Sequence, residues 1–289
     1  MAPPEVIAGQ QSDATASTGD ISYVPYPIET AQVCQPRGDN GGPRAATLLI
    51  HGGAWVSEDK RLPWFQSLCE NLAQRGVVAF NINYRLIRIA TGENAWPAQL
   101  QDVQLAMRWV RAHAQQYNVD TNRVCAFGTS AGGNLAALLG IERDIVPQLK
   151  GEDPQHQTSL YTDQSSQASC VVDVSGPTDL TQMPPNSDKV LGAMAAPLAG
   201  DTALPQALAQ ISPINRIKSG SAPVLIIYGT IDRGVPSATQ ALPFYKALKD
   251  KGVPATLFEY TGHHALGLTA PEEVDRAMDA AAAFIKKSD

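Results

Sequence analysis

From residue 46 onward, short apolar runs alternate with stretches of helical periodicity, and this alternation narrows the fold more than any other feature of the chain. The runs lie at 46–50, 76–82, 124–127, 168–174, 223–228 and 256–260. Uninterrupted apolar character fits strands covered on both faces, and strands that alternate with helices fit a mostly parallel sheet. Residues 62–75, 97–117, 238–251 and 271–287 read as helices. In the second of these, Leu100, Val103, Met107, Val110 and Ala114 recur at helical spacing, with Pro97 in the first turn. His113 on that helix reads as a surface residue. Upstream, residues 21–26 and 30–35 alternate apolar and polar side chains, as antiparallel edge strands do. Residues 39–43 form a turn. The expected architecture is one domain over 21–289, an eight-stranded, mostly parallel sheet with helices on both faces. Residues 181–218, rich in Pro and Ala with weak periodicity, read as a small lid. Residues 143–167 read as an exposed polar insertion carrying a solvated His156, and residues 1–20 as a loosely draped leader.

Composition excludes several classes of function. The 289 residues are 44% hydrophobic and 17% charged, as in ordinary globular proteins, and the formal net charge is −6. No basic patch is present to meet nucleic acid or an anionic membrane. No apolar run approaches the ~20 residues of a membrane span. The N-terminus lacks the basic start and apolar middle of a signal peptide. That leaves a cytoplasmic protein, or an exported one whose signal has been removed; oligomeric state is not legible. The 4 cysteines have no C-x-x-C spacing, so metal and dithiol chemistry are poor readings. Cys125 and Cys170 lie in strand-like runs and read as small buried apolar side chains. Cys34 and Cys69 would form a disulfide in an exported protein.

Chemistry concentrates at Gly128-Thr129-Ser130-Ala131-Gly132, between the 124–127 run and a helix-forming run at 134–139. A strand that reverses directly into a helix brings backbone too close for a Cβ on either side, so glycine flanks the turn. The turn lifts the Ser130 hydroxyl above the strand ends and leaves the Ala131 N–H at a helix N-terminus, aimed at an anion forming beside it. A second glycine-rich turn, His51-Gly52-Gly53-Ala54-Trp55, follows the first buried strand. Its Gly53 and Ala54 N–H groups are candidate oxyanion donors alongside Ala131. A serine hydroxyl needs a base, and the base an orienting carboxylate. With the nucleophile at such a turn, the chain order is Ser, acid, His. Of the 5 histidines only His263 and His264 follow any plausible acid. Asp232 leaves the strand before them; Asp179 is the reserve acid and reads more readily as an anchor of the lid. Either histidine serves as the base on this reading. No acidic or cysteine cluster stands beside them at ligand spacing, so neither metal nor cofactor is expected.

Taken together, these segments resemble the α/β-hydrolase superfamily. The resemblance rests also on Asn83-Tyr84-Arg85-Leu86, on 97–102, on Trp109, on Gly229-Thr230-Ile231-Asp232 and on 264–268. It runs from about Ile21 to the C-terminus. The chain looks most similar to the branch of carbohydrate esterases, acetyl-xylan and feruloyl esterases, and small carboxylesterases related to hormone-sensitive lipase. The resemblance implies Ser130 as nucleophile, Asp232 as acid, Gly53, Ala54 and Ala131 as oxyanion donors, and favours His264 over His263. It places Trp55 and Tyr84 at the substrate pocket and makes Asp102 structural. Ala54 stands where many relatives have a third Gly, and Glu58 where they often have Gly, which alters the mouth of the pocket. The implied activity is serine ester hydrolysis of short-chain or small aromatic esters. A kynurenine-formamidase-like amidase fits the His51 segment equally well, and a non-catalytic binding protein on this fold is the remaining alternative.

Overall fold

A computed structural model describes residues 15–24, 29–38, 41–141, 160–199 and 203–287. Its nine strands are β1 (Thr15–Ser17), β2 (Ile21–Ser22), β3 (Thr30–Pro36), β4 (Arg44–Ile50), β5 (Val78–Ile82), β6 (Val119–Thr129), β7 (Val171–Val174), β8 (Val224–Gly229) and β9 (Ala255–Tyr260). Seven helices accompany them: α1 (Pro63–Gln74), α2 (Ala98–Ala112), α3 (Ala131–Ile141), α4 (Asp188–Ala199), α5 (Leu204–Ile211), α6 (Ala241–Asp250) and α7 (Pro271–Lys287). One sheet holds all nine strands in the order β1-β3-β5-β4-β6-β7-β8-β9, with β2 also on β3. Pairing is parallel from β5 through β9 and antiparallel where β3 meets β1, β2 and β5. The ninth strand is β1, in the segment expected as leader, where Thr15, Ala16 and Ser17 pair with Pro36, Gln35 and Cys34.

The apolar runs are buried from both sides because the sheet separates two cores. Leu48 and Ile50 of β4 face a core with Val103 and Met107 of α2, Leu135 and Leu138 of α3, and Phe244 of α6. Leu49 between them faces Phe65 and Leu72 of α1 and Met278 and Ile285 of α7. Side chains alternate along a strand, so an unbroken apolar run serves both layers at once.

Several sequence expectations need correction. Cys125 and Cys170 are buried, as expected of apolar side chains, but they are joined as a disulfide. Parallel pairing sets Ala126 opposite Val171, which brings the two preceding cysteines side by side with Cα atoms 4.5 Å apart. Cys34 of β3 and Cys69 of α1 are also joined, with Cα atoms 5.8 Å apart. His113 is half-buried: its ring stacks on Trp109, centroids 4.6 Å apart, and its Nδ1 lies 2.9 Å from the Trp109 carbonyl. The segment 181–218, expected as a lid of weak periodicity, contains two helices among its described residues, α4 and α5, and the first carries Pro197 within it. Most of the polar insertion, His156 included, lies outside the described residues. No helix among the described residues is long and apolar enough to cross a membrane.

Candidate active site

Strand order decides where chemistry gathers. The chain passes from β4 outward to β5, then returns to place β6 on the other side of β4. At such a reversal the loops leaving two neighbouring parallel strands diverge and open a crevice at their carboxyl ends. Here the neighbours are Ile50 of β4 and Gly128 of β6, so the His51 turn and the Ser130 turn emerge next to each other.

Each turn has the glycines its sterics demand. Ser130 sits at φ 53°, a left-handed conformation unusual for a residue with a side chain. A Cβ on Gly128 would overlap the Gly132 carbonyl, and one on Gly132 would overlap the Ile50 carbonyl. The Ser130 N–H donates to the Val174 carbonyl at 2.8 Å, tying the turn to β7. Ala131 opens α3, so its N–H has no carbonyl acceptor within the helix. In the other turn Gly53, Ala54 and Trp55 all have positive φ, at 83°, 51° and 60°. The Gly53 carbonyl accepts from Val56 and Ser57, each at 3.0 Å.

Two further side chains arrive from the far end of the chain. His264 Nε2 lies 2.7 Å from Ser130 Oγ, and His264 Nδ1 lies 2.7 Å from Asp232 Oδ2. Asp232 Oδ1 accepts from the Gly234 and Val235 N–H groups, both at 2.9 Å. Burial would raise the Asp232 carboxyl, but the hydrogen bond and charge of His264, with Val235 N–H and the Ser175 hydroxyl, outweigh it and hold it below its ordinary value. His263 is exposed, and its carbonyl accepts from the Tyr260 hydroxyl. Asp179 is elsewhere: its carboxylate accepts from Thr181 N–H at 3.0 Å and caps a short turn at the start of the lid.

Two cavities open from Ser130. One, of about 190 Å³, is lined by Ala54, Trp55 and Ala131 together with Met183, Val190 and Leu191 from the lid. The other, of about 320 Å³, is lined by Gly53, Ala54, Glu58, Trp64 and His264. Trp55 lines the smaller cavity beside Ser130. Tyr84 lines a neighbouring cavity, whose lining includes Glu58 but not Ser130. Its buried hydroxyl donates to the His51 and Gly52 carbonyls at 3.0 and 2.9 Å, and its ring stacks on His51 at 4.4 Å. It braces the glycine turn from behind.

The sequence pattern of the BD-FAE family matches residues 34–248. The chain belongs to the BD-FAE family. Esterase LipQ of Mycobacterium tuberculosis is 29% identical over 286 residues, 96% of this chain and 64% of its own length. Esterase LipC of the same organism is 29% identical over 79% of this chain and 54% of its own length. The chain therefore spans between about half and two thirds of these curated relatives. Among solved structures, a truncated carbohydrate esterase from gut microbiota superposes with a TM-score of 0.80 at 24% identity, over 97% of this chain and 99% of its own. A native thermophilic esterase, Est2 of Thermogutta terrifontis, superposes with a TM-score of 0.68 at 26% identity, over 92% of this chain and 91% of its own. The fold is that of the α/β-hydrolases.

In this BD-FAE chain, residues that position the site escaped the sequence reading. Tyr260 Oη accepts from Leu266 N–H at 2.8 Å while donating to His263 O, and Ser175 Oγ accepts from Ala265 N–H at 3.1 Å. These bonds clamp the tight turn that carries His264, where Ala265 and Leu266 have φ of 52° and 64°. The Thr230 and Ile231 N–H groups donate to Tyr260 and Gly262 carbonyls at 3.0 and 3.1 Å, locking the Asp232 loop to the His264 loop. The signals were faint: one Ser just past a strand, and one Tyr at a strand end.

Proposed function

We propose that this chain is a serine carboxylesterase working through Ser130, His264 and Asp232. One observation carries the reading: a single imidazole lies 2.7 Å from the Ser130 hydroxyl and, through its other nitrogen, 2.7 Å from the Asp232 carboxylate. His264 Nε2 takes the Ser130 proton as Oγ attacks the ester carbonyl, while Asp232 holds the ring and steadies the imidazolium. The Gly53, Ala54 and Ala131 N–H groups receive the oxyanion. His264 then returns the proton to the departing alcohol oxygen, and water, activated by the same ring, releases the acid from Ser130.

Supporting the reading are the esterase names of LipQ and LipC and of the Est2 structure. The cavity roofed by Met183, Val190 and Leu191, at about 190 Å³, falls below the ~300 Å³ at which drug-sized sites begin. It suits a short acyl chain or one small aromatic acyl group.

The test is a panel of esters graded by acyl length with an N-formyl amide alongside, assayed for wild type and Ser130→Ala. Turnover should be highest for short acyl groups and fall by at least ~10³-fold in Ser130→Ala, with the thermal midpoint little changed. A fluorophosphonate should label wild type at Ser130. Undiminished hydrolysis by pure Ser130→Ala protein would overturn the assignment.

A further inference from the structure

The two cavities at Ser130 divide the parts of an ester between them. The base protonates the departing alcohol, so the alcohol leaves on the side where His264 stands. His264 lines the larger cavity and not the smaller, apolar one beneath the lid. The larger cavity is therefore the alcohol side, an assignment that rests on the esterase reading.

Two side chains give that cavity its character. Trp64 leaves 40% of its surface open to solvent, with its indole packed T-shaped with Phe65, centroids 5.1 Å apart. Glu58 stands at the cavity's rim, exposed to solvent. Ser130 Cβ and Glu58 Oε2 both lie within 3.4 Å of the point where a Cβ on Gly52 would stand, so the carboxylate and the nucleophile flank one backbone position. Partial desolvation pushes the Glu58 carboxyl up, against the pull of the His264 charge and the Gly52 N–H.

Among the described residues, no Lys or Arg lines this cavity. The cations nearby in sequence are committed elsewhere: Lys60 is buried against Asp20 at 2.6 Å, Arg61 reaches Asp59 at 3.2 Å, and Arg88 reaches Glu93 at 3.2 Å. Glu58 also sits at φ 73°, where glycine is free and a side chain is strained. The backbone thus tolerates a side chain here at a conformational cost, and the side chain it keeps is a carboxylate aimed into the site.

We propose that Glu58 and Trp64 form a subsite for a positively charged leaving group, so that the chain prefers esters of cationic amino alcohols over their uncharged isosteres. A quaternary or protonated amine fits both groups at once: the indole attracts it through its quadrupole, and the carboxylate neutralises it, with His264 the one described side chain of the lining that can itself carry positive charge. An anionic alcohol or a free carboxylate on that side meets repulsion from Glu58 and has no compensating partner.

The experiment compares acetylcholine with 3,3-dimethylbutyl acetate, which have the same shape and differ by one charge. Wild type should favour the cation in kcat/KM by about tenfold. Glu58→Gln, which keeps the shape and removes the charge, should bring the ratio close to one, and Trp64→Leu should reduce it. Each ratio is taken within one protein, so a general loss of activity cancels. Calorimetry with tetramethylammonium reads the subsite without turnover: it should bind wild type and Ser130→Ala alike and weaken in Glu58→Gln. A wild-type ratio at or below one, or a preference unchanged in Glu58→Gln, overturns the proposal. Absence of hydrolysis of either ester and of p-nitrophenyl acetate, with tetramethylammonium still bound in a Glu58-dependent way, would sink the esterase reading and leave the cation subsite standing.

Discussion

Single residues in this chain are held in states their side chains would not choose in water. Asp173 of β7 is buried beneath the Ser130 turn, where its Oδ1 accepts from Gly176 N–H at 2.8 Å and its Oδ2 has no hydrogen-bond partner among the described residues. Burial pushes its carboxyl up to about 7, with the Gly176 bond opposing. The folded protein therefore keeps a proton there over a range in which the unfolded chain has lost it. Stability from this group is complete below the unfolded value near 4 and is lost as pH rises through about 7. His51 slopes the other way: burial lowers it to about 4, so its contribution is present above about 6.5 and lost as pH falls. The two partly cancel in wild type between those values. Asp173→Asn exposes the term: its stability relative to wild type should improve by up to about 4 kcal/mol between pH 4 and pH 8. Urea unfolding of both proteins across that range measures it. A difference flat in pH would show that the carboxyl titrates alike in both states.

Elements matter here chiefly for how they fasten loops. The glycine turn after β4 buries Trp55 in the core, and the segment that follows it is pinned by the residues that close β5. Lys60 N–H donates to Asn83 Oδ1 at 2.8 Å, Asn83 Nδ2 to Asp59 at 2.8 Å, and Asn81 Nδ2 to the Lys60 carbonyl at 2.9 Å. Next along, Arg85 forks onto the buried Asp102 of α2, with Nη2 to Oδ1 at 2.6 Å and Nε to the same oxygen at 2.9 Å. This is the structural role the family resemblance implies for Asp102. Asn83→Ala leaves the Lys60 N–H without its acceptor, at a cost of about 1–3 kcal/mol. Because the freed segment runs directly into Gly53 and Ala54, kcat should fall about tenfold or more with KM little changed. Steady-state kinetics beside a thermal melt separate the two effects; a destabilised variant with unaltered kcat would mean the turn holds its shape without this anchor.

Across the whole molecule, the two disulfides tie the sheet to its helices and to itself. Cys34–Cys69 closes a loop of 35 residues between β3 and α1, and Cys125–Cys170 closes one of 45 between β6 and β7. Chain entropy allows about 4 kcal/mol for each loop of this size. Reduction after denaturation, followed by refolding in reductant, should lower the thermal midpoint by several degrees. Alkylation of denatured, unreduced protein should modify no cysteine, and peptide mapping should recover the pairs 34–69 and 125–170. Free thiols at 125 and 170 would remove the second crosslink from this picture.

What could be read in advance follows physical rules that act over a few residues. Glycines at 128 and 132, an apolar run before them and small helix formers after them leave one compact conformation, so the Ser130 turn was legible. The strand and helix order was legible for the same reason, and chain order with strand position narrowed the candidate acid to Asp232, with Asp179 in reserve, and the candidate base to a pair of histidines. Contacts between distant segments carry no such local mark. The cysteine pair at 125 and 170 depends on the register between β6 and β7, β1 on an edge strand left open, and the position of the His264 ring beside Ser130 on a clamp by Tyr260 and Ser175. The lid hid its helices because Pro197 and many alanines blur the apolar stripe. An aromatic ring near a site looks alike in sequence whether it faces a substrate or, as Tyr84 does, stacks on the loop beside it. Local sterics were written in the chain itself; neighbours that meet only after the sheet is assembled were decided by the tertiary structure.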